Sequence, residues 1–136
     1  MNRQGAKHAK IEPNKRLDRL ARTVIGAAIE VHRHVGPGYL ESLSEEALSI
    51  ELGRRRIPFE RQKPIAVNYK GYGIGEGRVD LIVGGELLVE LKAVEALAPI
   101  HTAQVLPYLK ATERHLGLLI NVNGPVLRRR SWRLGG

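Results

Sequence analysis

The segment Leu116–Val122 (LGLLINV) is a near-continuous apolar run, and such a run fits a strand buried on both faces. A strand of that kind belongs inside a sheet covered by helices on either side, which directs the chain toward an α/β arrangement. The rest of the pattern agrees. From about Arg16, Leu17, Leu20, Val24, Ala27, Ala28, Val31 and Val35 recur at three- and four-residue steps, predicting an amphipathic helix that Gly36-Pro37-Gly38 must end. A second helix is expected from Leu40 to about Arg55, with Leu43, Ala47, Leu48, Ile50 and Leu52 as its apolar positions.

Pro58 and Pro64 then punctuate a switch to strands. Ile65–Tyr69 alternates, Gly71–Gly77 reads as a glycine-rich turn or bent strand, and Arg78–Val83 is strongly strand-like. Gly84-Gly85 turns the chain into a strand over Leu87–Val94, and Pro99 opens a helix predicted to reach Thr112. The expected order is α, α, about three strands, α, β, with a mixed central sheet. Its boundaries are a basic arm over residues 1–15, a single domain over 16–127, and a basic tail over 128–136.

Composition narrows the chemistry. The chain of 136 residues has no cysteine, which excludes disulfide frameworks, zinc-thiolate sites, iron–sulfur clusters and cysteine nucleophiles. That suits a reducing cytosol, and no apolar run is long enough to suggest a signal peptide or membrane span, so a cytoplasmic protein is expected. The net charge of +8 is uneven: residues 1–22 carry +5 and residues 128–136 carry +4, leaving the middle at −1. Clustered cations at the two ends suit a polyanionic partner such as nucleic acid, or simply keep the chain soluble.

Familiar motifs are missing. Gly71-Tyr72-Gly73-Ile74-Gly75-Glu76-Gly77 lacks the spacing of a dinucleotide loop and precedes a strand rather than a helix. His32 and His34 lie two apart on a helix and diverge, so they cannot chelate one metal ion. No serine sits in a nucleophile elbow.

Carboxylates and a lysine remain. Alternation along Leu87–Val94 puts Glu90 and Lys92 on one face, opposite Val89, Leu91 and Ala93. Asp80 interrupts the preceding strand between Val79 and Leu81. Charged groups in such strands are costly to bury unless they are paired or bound to something. The plain alternative is an exposed edge with a cross-strand ion pair. Hairpin geometry discriminates: a two-residue Gly84-Gly85 loop leaves Asp80 and Glu90 on opposite faces, whereas an odd loop or a bulge brings them together.

The pattern Asp80-x9-Glu90-x-Lys92 resembles the PD-(D/E)XK nuclease superfamily. Gly36-Pro37-Gly38-Tyr39-Leu40-Glu41, Ile57-Pro58-Phe59-Glu60-Arg61-Gln62, Gly75-Glu76-Gly77-Arg78-Val79-Asp80-Leu81, Val89-Glu90-Leu91-Lys92-Ala93 and Pro99-Ile100-His101-x-Ala103-Gln104 with Tyr108-Leu109 are together similar to the small GxxExxY family of that superfamily. Two departures stand out: the name-giving tyrosine falls at Ser44, and Pro107 interrupts the last helix between Gln104 and Tyr108.

The resemblance implies a restriction-endonuclease-like αβββαβ core and Mg²⁺- or Mn²⁺-dependent phosphodiester hydrolysis. Asp80, Glu90 and the Leu91 carbonyl would hold the metal, with Glu41 or Glu45 completing its shell. Lys92 would orient or deprotonate the attacking water. Gln104 would join the catalytic set, and Arg78, His101 and Tyr108 would contact substrate. For the two glutamates the alternative is a solvated helix face, for Gln104 and Tyr108 helix-to-sheet packing, and for Arg78 charge balance. The implied partner is nucleic acid, DNA before RNA, and so small a domain has little room for specificity elements, which suggests a homodimer or a protein partner. The rival reading is a nuclease-fold module that binds or regulates without turnover.

Overall fold

The computed structural model describes residues 13–124 and 126–133. The basic arm expected over 1–15 therefore falls outside the described residues as far as residue 12, while 13–15 already belong to the first helix. Three helices and five strands follow: α1 (Pro13–Val35), α2 (Glu41–Arg54), β1 (Phe59–Tyr69), β2 (Tyr72–Val83), β3 (Leu87–Lys92), α3 (Pro99–Thr112), β4 (Leu116–Asn121) and β5 (Arg128–Arg133). The strands form one sheet in sequence order, parallel between β3 and β4 and antiparallel elsewhere. This is the mixed, helix-flanked αβββαβ core expected, with one strand added.

The added strand corrects the expected tail. Arg128–Arg133 pairs along the whole of β4, from Asn121↔Arg128 to Leu116↔Arg133. Its arginines hid it, because their charge outweighs any apolar alternation; an outermost strand needs only its backbone and half its side chains in contact. β1 forms the other edge, where Pro64 is tolerated because an edge strand need not donate from every residue.

The sheet separates two apolar cores. On one face Leu17, Ala21, Val24, Ala27 and Ala28 of α1 and Leu48 and Leu52 of α2 pack on Leu81, Val83, Leu87, Val89, Leu91, Leu116, Leu118 and Ile120. On the other, Val105 and Leu109 of α3 cover Ile65, Val79, Ile82, Leu88 and Leu119. β4 supplies both cores, and its six residues are all buried, as its apolar run requires. α2 departs from expectation: Leu43 and Ile50 are exposed, whereas Ser44, Glu45 and Ser49 are buried beside Leu48 and Leu52. Its inward face is half polar because it looks toward the charged end of β1 and β2.

Pro107 lies within α3, which runs on through it as one helix. The proline supplies no N–H to the carbonyl of Ala103, and the packing of Val105 and Leu109 holds the turn on either side. Among the described residues no helix is long and apolar enough to cross a membrane.

Candidate active site

The β2–β3 hairpin sets the register. Val83 pairs with Leu87, so the loop is the three residues Gly84-Gly85-Glu86, with both glycines at positive φ (61° and 71°). An odd loop is the condition under which Asp80 and Glu90 meet. Pairing runs through Ile82↔Leu88 to Leu81↔Val89 and stops there. One step further, the two carboxylates take over from the ladder. Asp80 N–H donates to Glu90 Oε1 at 3.0 Å, and Leu91 N–H donates to Asp80 Oδ2 at 2.8 Å. Each acid thus bonds the backbone of the opposite strand, at a fork where main-chain pairing has ended.

The strand on the other side is distorted at the same level. Gln62 stands opposite Asp80 in the β1–β2 register and has φ 50°, a left-handed conformation unusual for a non-glycine residue within a strand. The side-chain alternation slips here: Leu81 and Val83 face α1 and α2, whereas Val79 joins Ile82 beneath α3. The slip turns Gln62 Nε2 toward two acids, donating to Glu45 Oε1 at 2.7 Å and to Asp80 Oδ1 at 3.4 Å.

The other sequence candidates surround this fork. Glu41, at the start of α2, accepts from Ala93 N–H at 3.0 Å and so anchors the chain just beyond β3. Glu45 is buried, and both its oxygens are engaged, one by Gln62 and the other by Arg61 Nε at 3.1 Å. Lys92 is half-buried and forms no ion pair or hydrogen bond through its ammonium among the described residues. The cross-strand ion pair offered as the plain alternative is therefore absent. Arg78 is exposed; it donates to the Gln62 carbonyl at 3.1 Å and pairs with Glu76 at 3.8 Å rather than with Asp80 or Glu90.

On α3, His101 caps the helix: Ala98 N–H donates to its Nδ1 at 2.8 Å, and Nε2 has no hydrogen-bond partner among the described residues. Gln104 is exposed. Tyr108 packs with the core beneath α3 and lies against Gly77 so closely that a Cβ there would stand 2.3 Å from the phenol oxygen. Gly77→Ala should therefore expel Tyr108 or tilt α3 and destabilise the fold by ~1–3 kcal/mol, as overpacking does. Denaturant melts of Gly77→Ala, Tyr108→Ala and the double variant check it, because once Tyr108 is truncated the glycine substitution should cost little further stability.

Electrostatics single out the two acids at the fork. Burial pushes Glu90 up to about 8, with the negative charge of Asp80 adding to the effect and the Asp80 N–H and Lys92 opposing it. Asp80 is raised as well, chiefly by burial, with Glu45 and Glu41 contributing against hydrogen bonds from Leu91 and Gln62. The two carboxylates are thus short of compensating positive charge. Among the described residues no group of three or more histidines and acids is arranged to hold a metal ion. Two carboxylates nonetheless suit Mg²⁺, which is commonly held by one or two of them together with water and substrate phosphate. The donor set fits a hard divalent cation.

Sequence reasoning missed two contributors. Gln62 gave no signal in the apolar pattern, though it lies within one of the quoted family-like stretches. Asn121 is 1 % exposed and holds the segment after β3, donating to the Val94 carbonyl at 2.8 Å and accepting from Val94 N–H at 3.2 Å. Its signal was present: it is the polar side chain in an otherwise apolar run.

Comparison with known proteins agrees with the fold. A family model described as the PD-(D/E)XK nuclease superfamily matches residues 18–134. No curated protein matches the chain. Among solved structures, one titled "Crystal structure of SSO0001" is similar, with a TM-score of 0.53 and 20 % identity over 68 % of this chain. The match spans 48 % of that protein, so this chain corresponds to about half its length.

Proposed function

The chain belongs to the PD-(D/E)XK nuclease superfamily, and on that premise we propose that it is a metal-dependent nuclease hydrolysing phosphodiester bonds of DNA, or of RNA, at Asp80, Glu90 and Lys92. The observation that carries this reading is the fork: two half-buried carboxylates bonded across β2 and β3, both held above their ordinary range, beside a lysine with no partner. The finer placement in the GxxExxY family rests on the sequence stretches quoted above.

Asp80 and Glu90, with the Leu91 carbonyl, would hold Mg²⁺ or Mn²⁺, and Glu41 or Glu45 would supplement them. Bound there, the ion would stabilise charge on the phosphate and make water more acidic. The chain's own residues prepare the rest. The backbone N–H groups of Asp80 and Leu91 fix one oxygen of each acid, and Glu90 Oε2 has no hydrogen-bond partner among the described residues. Gln62, held by Glu45, steadies Asp80 from the opposite strand. Lys92, two residues beyond Glu90, would orient water or accept its proton, or neutralise a phosphate oxygen. Gln104, His101 Nε2 and Tyr108 present polar groups along α3 for substrate.

Incubation with single- and double-stranded DNA and RNA tests this, with Mg²⁺, Mn²⁺ or EDTA and an Asp80→Ala control. Cleavage should require the metal and fall ~10³-fold in the variant, the equivalent of several kcal/mol of lost charge stabilisation. A binding module without turnover is the second reading, favoured by Ser44 at the family's tyrosine position and by the lack of a three-acid group among the described residues. Binding without cleavage under every metal condition would select it.

A further inference from the structure

Away from the fork, α1 and β5 enclose a cavity of about 490 Å³. Its floor is apolar, formed by Leu116 and Leu118 of β4, and its rim carries Arg22 of α1 and Arg128 and Arg129 of β5. None of these three guanidiniums has an ion-pair or hydrogen-bond partner among the described residues. Asp18, an acid on the rim, is bonded to Arg133 and so leaves the three arginines uncompensated. Unpaired guanidinium forks on both walls of a groove are suited to phosphate, which they engage bidentately.

The register ties this groove to the fork. Lys92 pairs with Asn121, and Asn121 pairs with Arg128. Arg128 thus begins β5 at the same end of the sheet as Lys92, two strand spacings or about 10 Å away. From there the rim continues to Arg129 and across to Arg22. Arg129 pairs with Ile120 and so faces α1, on the side of the sheet opposite Glu90 and Lys92; a strand held at the fork reaches the groove by rounding the sheet edge at Arg128.

We propose that the α1–β5 groove is a second nucleic-acid site, gripping the phosphodiester backbone around the sheet edge from the catalytic fork. The identity of the polyanion rests on the nuclease reading, but the existence of the site does not. The groove binds backbone charge and is indifferent to base sequence, since it offers arginines and an apolar floor but no built set of donors and acceptors for base edges.

The test measures fluorescence anisotropy of a labelled 30-nucleotide single strand and a 30-base-pair duplex with the full chain in EDTA, over a range of salt. Arg22→Gln/Arg129→Gln should weaken both and flatten the plot of log K against log salt by ~1.4 for the single strand and ~1.8 for the duplex. Arg22→Lys/Arg129→Lys, which keeps the charges, should restore most of the slope, and thermal melts confirm that both variants fold. An unchanged slope in the glutamine variant overturns the groove, as does failure of the wild-type chain to bind either ligand.

Metal-dependent cleavage at saturating substrate, measured in parallel, reports on the chemistry at the fork rather than on affinity in the groove. Normal cleavage with an unchanged slope removes only the groove. No cleavage with a flattened slope removes only the nuclease reading and supports the groove.

Discussion

Replacing Glu90 by glutamine should make the metal-free protein more stable at alkaline pH while abolishing its response to Mg²⁺. The ordinary value for this side chain is 4.5, and in the fold it is pushed up to about 8. The folded state therefore holds the proton more tightly than the unfolded chain does. Stability from this group is fully present below about 4.5 and is lost as the pH rises through about 8. Asp80 shifts in the same direction and adds to the slope.

In EDTA the wild-type melting temperature should accordingly fall between about pH 5 and about pH 8.5, beyond any change at remote groups. Glutamine carries no charge and can still accept from Asp80 N–H. Its curve should be flatter and should lie several degrees above wild type at the alkaline end, at ~4 °C per kcal/mol for a chain of this size. Added Mg²⁺ should raise the wild-type melting temperature, by binding the folded state, and leave the variant nearly unmoved. A pH-independent wild-type melt in EDTA, or equal Mg²⁺ shifts in both proteins, would contradict this account of the fork.

The second large effect is expected at Lys92. Lys92 is half-buried and makes no hydrogen bond or close ion pair among the described residues; its charge only partly offsets Glu90, which burial keeps raised in any case. Lys92→Ala should cost little stability yet reduce cleavage by ~10²–10⁴-fold, the range associated with a positioned acid–base group. Lys92→Arg separates two roles. Arginine keeps the charge but cannot give up its proton, so substantial rescue assigns Lys92 to charge stabilisation and its absence assigns it to proton transfer. Oligonucleotide affinity in EDTA should change by no more than the loss of one cation. A variant that cleaves as fast as wild type would remove Lys92 from the chemistry.

Much of this was legible in the sequence. The apolar run of β4 forced a two-sided sheet, the Gly84-Gly85 turn defined a hairpin whose parity mattered, and Asp80, Glu90 and Lys92 stood out as charges in apolar strands. The features that escaped share a cause. β5 was disguised because four of its six residues are arginine, and edge strands carry a weak hydrophobic pattern. Gln62 was silent because its contribution comes from a backbone distortion, and nothing in the local residues requires φ 50°. Glu45 turned inward on α2, against the expected face, because its partners Arg61 and Gln62 lie on a separate strand. Each miss is an interaction fixed by tertiary context rather than by periodicity.

The charged edge strand also governs how this protein meets copies of itself. An outermost strand offers unpaired backbone groups to any matching strand, and long exposed edges are common routes to aggregation. Two copies of β5 brought side by side would set Arg128, Arg129 and Arg133 against one another, and like charges directly opposite disfavour pairing. The strand is thereby self-protecting: the guanidiniums that give β5 its cationic character also keep it from recruiting its own kind. Neutralising them would remove that guard and leave a sheet open at its end, so the arginines protect solubility whatever else they hold.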